Sequence, residues 1–526
     1  MLSSWRRFSL LLTALAGWTL AAGAQPAPGE SWPLAALRPG QRGEVWTVFQ
    51  GTEPEAFAVQ VTGVVGNALG PGKSLIVCEL IDPRLRDMGA AAGMSGSPLY
   101  IEGKFAGALS YQLQRFETTH YAGFTPAADL AEVGAQPFPA SPPPKGAAVD
   151  RAPFPSAATS LQAGFRPLQP VVALGGLAPA VADLLAPQLA ACGLGTTALG
   201  GTMAPVAEAG NASASAPLRP GSAASVALIT GDITLAATGT VSLVEGDRVT
   251  AFGHPLLGLG ETELPLCRAE IVTILPSALQ SVKLANTGAT VGTVYQDRLS
   301  GISGVLGRQP AMIPVEIGLA LPEGRARTLH CQVIRQPQLL PALVAAGVAQ
   351  SILGSNDGGL RDGFRLRGTL TFPGGEELTT QTLYAGPQAF ALALGEFVQN
   401  LQASLLNPYE KVFPTRLAFT IEPLTQNPLI NLETFLLSRS VIRPGEPLEA
   451  TLAWRDYQGE ARHATVRIPI DPAWAGRQLE VVLAHGRLLD ELTGRPRTIT
   501  AAQLRSFPAF LNFLRDLRQT DGLYLA

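Results

Sequence analysis

The sequence predicts a mainly β fold with a few helices, and three observations carry that reading. Glycine and proline together make about 19% of the 526 residues, against roughly 12% in an average protein. Charged residues are 15% and apolar residues 46%, the reverse of the low-hydrophobicity, high-charge signature of disorder. The apolar residues fall in many short or alternating runs bounded by Gly, Pro and Asp, the pattern of strands joined by tight turns. A chain of this length is expected to form three or four domains.

Residues 1–24 have the layout of a secretory signal. Arg6 and Arg7 precede an apolar stretch over 8–20, and the small residues Ala22-Gly23-Ala24 stand before Gln25. The adjacent arginines leave general and twin-arginine export both open. No later segment holds 18 uninterrupted apolar residues, so no transmembrane segment is expected after signal removal. The mature chain is expected in the periplasm or outside the cell.

Residues 25–135 form a first β block, with strand candidates at 44–49, 57–65, 74–80 and 105–113. Residues 136–160 hold seven prolines and read as a stiff, extended linker. A second β block covers 161–345, with a helical stretch at 177–192 and a low-complexity segment at 204–221. Its strand candidates are 224–230, 240–244, 248–252, 313–320 and 328–334. Residues 346–424 are mixed α/β. There Phe390, Leu394, Phe397, Leu401 and Leu405 recur at helical spacing before Asn407-Pro408, the signature of a core-facing helix. Residues 425–490 read as an Ig-like β-sandwich with strands at 433–437, 448–454, 464–470 and 478–484. Residues 491–526 form a closing segment, helical over 501–517.

The net charge is −3, from 38 basic and 41 acidic residues, and only five of the basic ones are Lys. A nucleic-acid partner needs a basic stripe to neutralise phosphates, and the scattered charges exclude that class. Aromatics at 6% and the absence of regular ten-residue alternating strands oppose an outer-membrane barrel. Cys78, Cys192, Cys267 and Cys331 are far apart, and three disulfide pairings are open to them. No CxxC or HxxxH spacing occurs and the five His are dispersed, so neither a metal nor a cofactor is expected.

The chemistry concentrates in Gly93-Met94-Ser95-Gly96-Ser97-Pro98. A nucleophilic serine needs its Oγ on a tight turn, with backbone N–H groups converging where an oxyanion will form. Flanking glycines permit that turn, and the amides of Gly93 and Ser95 are the candidate oxyanion hole. A hydroxyl needs a base, and His254 in Ala251-Phe252-Gly253-His254-Pro255 stands at a strand end on a rigid corner. His120, His330, His463 and His485 lack such a setting. Asp82, which opens Asp82-Pro83-Arg84-Leu85, is the candidate to orient the imidazole, and Asp247 in Gly246-Asp247-Arg248 is its competitor. Local sequence reads both aspartates equally well as turn residues.

The run IDPRLRDMGAAAGMSGSPLY over 81–100 resembles the nucleophile region of the SpoIVB-type serine peptidases, the stage IV sporulation protein B family. Residues 103–108, AFGHPLLGLGETELP over 251–265 and Gly301-Ile302-Ser303-Gly304 are similar to further segments of that family. The resemblance covers about 43–130 and 220–310. It implies a trypsin-like two-barrel β scaffold with Ser95 as nucleophile, His254 as base and Asp82 as orienter. In that family the His segment precedes the other two, whereas here the order is Asp82, Ser95, His254, so the two β blocks must pack against each other. A linker of this length spans up to about 75 Å when extended, which permits it. The function expected is an exported serine endopeptidase acting on a protein or peptide. The alternative is a catalytically inactive peptidase-like scaffold binding proteins of the cell envelope.

Overall fold

The computed structural model describes residues 30–113, 120–138, 165–168, 170–191, 194–197, 201–202, 217–277, 280–321, 325–354, 362–385, 389–405, 412–494, 506–519 and 521–526. The signal expected at 1–24, most of the linker expected at 136–160, most of the 204–221 segment and Cys192 lie outside the described residues.

The first β block closes on itself. Its strands are β1 (Arg42–Thr47), β2 (Glu55–Val65), β3 (Leu75–Leu80), β4 (Pro98–Ile101), β5 (Lys104–Leu113) and β6 (Tyr121–Pro126). All neighbours are antiparallel, and the ring runs β1-β2-β3-β6-β5-β4 and back to β1. Alternation supplies the interior. Val45, Phe57, Val59, Val61, Ile76, Cys78, Leu99, Leu109 and Phe124 point inward and are buried, each apolar side chain contributing roughly 1.5–3 kcal/mol. Helix α1 (Ala127–Gly134) follows, and β7 (Phe165–Pro167) adds to the outer part of β5.

Next come β8 (Val171–Gly175), α2 (Pro179–Ala191), β9 (Gly195–Thr197) and β10 (Gly201–Thr202). A second ring is then built from β11 (Ala223–Gly231), β12 (Thr234–Glu245), β13 (Arg248–Ala251), β14 (Gly260–Leu275), β15 (Val282–Arg298) and β16 (Gly301–Leu306). It runs β11-β12-β13-β16-β15-β14 and closes through β14–β11. Counted from its own first strand, each barrel therefore closes in the same order, 1-2-3-6-5-4. The two-barrel plan agrees with the expectation. The 16 and 17 residues of β14 and β15 were not expected as strands, because bulges repeatedly break their alternation.

The second barrel continues outward from β11 into β18 (Ala326–Ile334), β17 (Met312–Ala320), β21 (Arg416–Pro423), β19 (Gly363–Thr371) and β20 (Glu377–Ala385). Helices α3 (Leu340–Leu353) and α4 (Ala389–Leu405) cover this extension, and the apolar stripe expected on α4 packs through Phe397, Leu401 and Leu405. The boundary expected at 345 thus falls inside one sheet: β17 pairs in parallel with β21, across the segment assigned to a separate unit.

The C-terminal part differs from expectation. In place of a sandwich stands one three-stranded sheet of β22 (Ile430–Leu437), β23 (Leu448–Asp456) and β24 (Ala461–Ile468). Only β23 buries side chains, at Leu448, Ala450 and Leu452, so no second sheet covers it among the described residues. The strand expected over 478–484 shrinks to β25 (Leu483–His485), which pairs with β26 (Leu523–Leu525) around α5 (Gly486–Leu492) and α6 (Phe507–Arg515). No helix among the described residues is long and apolar enough to cross a membrane.

Candidate active site

Ser95 and His254 occupy equivalent places. Ser95 lies in the connection between the third and fourth strands of the first barrel, and His254 in the connection between the third and fourth strands of the second. The Ser95 turn is held by its own hydrogen bonds, Met94 N–H to Ala91 O, Ser97 N–H to Met94 O and Gly96 N–H to Leu109 O at 2.7 Å. The amides of Gly93 and Ser95, and the Ser95 hydroxyl, make no hydrogen bond among the described residues. Free N–H groups two residues apart, one of them on the residue with the free hydroxyl, are the donors an oxyanion site draws on. Gly96 has φ +94°, and a Cβ there would collide with Thr240 O and Phe252 N. Only glycine lets the turn press so closely on the second barrel.

That second barrel completes the turn. Thr240 N–H donates to Ser95 O at 2.8 Å, Thr240 Oγ1 to Gly93 O at 3.0 Å and Ser242 Oγ to Gly96 O at 2.7 Å. In return the first barrel holds the His254 corner, where Phe252 and Gly253 both have positive φ. Thr125 Oγ1 donates to Gly253 O at 2.7 Å, and a Cβ on Gly253 would come within 2.5 Å of Ser110 Oγ.

His254 is fully buried. Its Nδ1 lies 2.8 Å from Pro255 O. A carbonyl can only accept, so the proton sits on Nδ1 and Nε2 carries the lone pair. Nε2 has no hydrogen-bond partner. Burial pushes the imidazole down to about 4, against the weaker pull of the Pro255 and Leu168 carbonyls. The ring is therefore neutral at pH 7, with an unshared acceptor nitrogen, the state a general base needs. The Ser95 and His254 segments meet across the Leu109–Ser110 stretch of β5, but the two side chains do not hydrogen-bond to each other in this structure.

Asp82 is not the group that orients His254. Its carboxylate caps the turn at Pro83–Leu85 by accepting from Arg84 N–H at 2.9 Å, and it pairs with Arg84 Nε at 3.1 Å. Burial works to raise its pKa, but the bonds and charge of Arg84 outweigh this and hold it below the usual carboxylate value. Its own chain neighbour captures it. Asp247 lies in an exposed hairpin turn.

The carboxylate beside the histidine loop is Asp297, at the end of β15. It is 1% exposed and accepts from the amides of Leu256 and Leu257, each at 2.8 Å, and Leu259 at 3.2 Å. Burial raises its pKa and the loop amides oppose the rise. Asp297 thus pins the histidine loop from Leu256 on, two residues after His254.

Lys283 was also unforeseen. It is 4% exposed, its stem lies where a Cβ on Gly93 would come within 2.9 Å, and Nζ donates to Thr47 Oγ1 at 2.7 Å. No carboxylate pairs with it among the described residues, and burial brings it down to about 7. Neither Asp297 nor Lys283 stands in a recognisable local motif, and the flanking Val282 and Leu284 would by alternation turn Lys283 outward. Cys78, Cys267 and Cys331 are buried free thiols, and burial raises all three. No group of His, Cys, Asp and Glu that could hold a metal ion occurs among the described residues.

No protein-family model matches the chain, and neither a curated protein nor a solved structure does.

Proposed function

We propose that the protein is an exported serine endopeptidase of the SpoIVB-type kind, with Ser95 as nucleophile and His254 as base. Ser95 Oγ attacks a peptide carbonyl while His254 Nε2 takes its proton. The imidazolium then protonates the leaving amine, and water resolves the acyl-enzyme by the same route. The amides of Gly93 and Ser95 receive the oxyanion, each such donor being worth about 3 kcal/mol at the barrier. Asp297 replaces Asp82 in this scheme, as a positioning residue acting through the loop amides. The single observation that carries the reading is the meeting of two glycine-framed corners at the seam. One corner offers a hydroxyl with two free amides, the other a neutral imidazole with an unshared nitrogen.

A second reading is a non-catalytic scaffold that binds envelope proteins. It is favoured by the absence of a Ser95–His254 hydrogen bond among the described residues and by the apolar side chains that the C-terminal sheet leaves in solvent, such as Leu436 and Leu432. A fluorophosphonate probe separates the two. The peptidase reading expects covalent labelling of the chain that disappears in Ser95→Ala with the fold unchanged. Labelling of parent and variant alike refutes it.

A further inference from the structure

On one edge β5 pairs with β4 as far as Ala108 and then, at Leu109, with the Ser95 turn, where Ser97 O accepts Leu109 N–H and Leu109 O accepts Gly96 N–H. Beyond that point the Ser95 turn leaves the edge, and β7 takes its place. Tyr111 faces Pro167, Gln112 faces Arg166 and Leu113 faces Phe165, antiparallel, and Leu168 N–H donates to Ser110 O at 2.9 Å. Leu168 is 1% exposed and lies in the same apolar cluster as Ala91, Met94 and Leu109. Its backbone lies close enough to act on the His254 ring, as that of Pro255 also does. A short extended segment therefore runs along the strand edge beside the nucleophile turn, buries one aliphatic side chain there, and ends near the base. Adding a strand to an open edge, with a pocket for one side chain, is a general way to bind an extended peptide.

We propose that Phe165–Leu168 holds the place of a peptide substrate, as a competitor built into the chain, and that the substrates are extended peptides with a leucine-sized aliphatic residue where Leu168 lies. The competitor is tethered, so its effective concentration is high and a free peptide must displace it. The word substrate here rests on the peptidase reading of Ser95, whereas occupancy of the edge does not.

The test uses the full chain. In a Ser95→Ala background, a fluorescent peptide of residues 165–168 is titrated by anisotropy against the chain with and without Leu168→Glu. A buried carboxylate expels the segment, so Leu168→Glu should tighten binding of the peptide at least tenfold, and a peptide with Asp in place of Leu should not bind. Leu168→Ala, which keeps the strand pairing, should shift binding in the same direction by less, and it serves if the acidic variant does not fold. In the Ser95 chain, Leu168→Glu should speed fluorophosphonate labelling at least tenfold. Equal peptide binding with and without the substitutions overturns the proposal, whatever labelling shows. Tighter binding without any labelling upholds the competitor and overturns the peptidase.

Discussion

Lys283 gives the sharpest quantitative test of the seam. In the unfolded chain its amine has the ordinary value of 10.5, and in the folded chain burial brings it to about 7. Between those values the unfolded chain holds a proton that the folded chain gives up, so stability rises with pH across the window from about 7 to 10.5. The full shift corresponds to about 5 kcal/mol, of which about 4 kcal/mol is still paid at pH 7. Lys283→Met keeps the stem against Gly93 and removes the charge. It also strips the buried Thr47 hydroxyl of its donor, at a cost of about 1 kcal/mol. The variant should therefore be more stable than the parent by about 3 kcal/mol at pH 7, read from urea midpoints at constant slope. From pH 7 to pH 9 the parent should gain about 2 kcal/mol relative to the variant, closing most of that gap. Other titrating groups contribute equally to both chains and cancel in the difference. A variant less stable at both pH values, or two parallel pH profiles, would mean that the amine is not buried as described.

Three further outcomes follow from the same geometry. His254 titrates at about 4 in the folded chain against 6.5 unfolded, so the parent should lose about 3 kcal/mol as pH falls from 6.5 towards 4, and His254→Phe should flatten that slope in acid unfolding curves. Asp297→Asn places an amide group among loop N–H donors that need an acceptor. It should cost roughly 2–4 kcal/mol in urea unfolding and slow fluorophosphonate labelling of Ser95. Gly96→Ala pushes a methyl into Thr240 O and Phe252 N from a left-handed backbone, so the variant should fall by several kcal/mol in stability and lose labelling, whereas Gly103→Ala, in an exposed turn with open space, should cost about 1 kcal/mol and keep it.

What could be read in advance was whatever is encoded by neighbours along the chain. Ser95 and His254 stood out because glycine and proline surround a polar side chain in an otherwise apolar stretch, and β2, β5 and β17 because their apolar residues fall in compact or alternating runs. Asp82 misled for the same reason: Asp-Pro-Arg is a local unit, and the arginine two residues on takes the carboxylate. Asp297 and Lys283 could not be found that way. Their partners lie 41 and 236 residues distant in sequence, and each becomes conspicuous only when burial shows a charge without water. The sandwich expectation failed at a different level. Alternation announces strands, but only a second apolar face announces a second sheet.

The loop bearing Ser95 is finished from afar. Its last supports come from Thr240 and Ser242, the latter 146 residues further along the chain than the glycine it holds. An emerging chain that has already folded its first barrel thus possesses the residue but not the shape. The hydrogen bonds that complete this turn can therefore form only once the second barrel has been synthesised and docked.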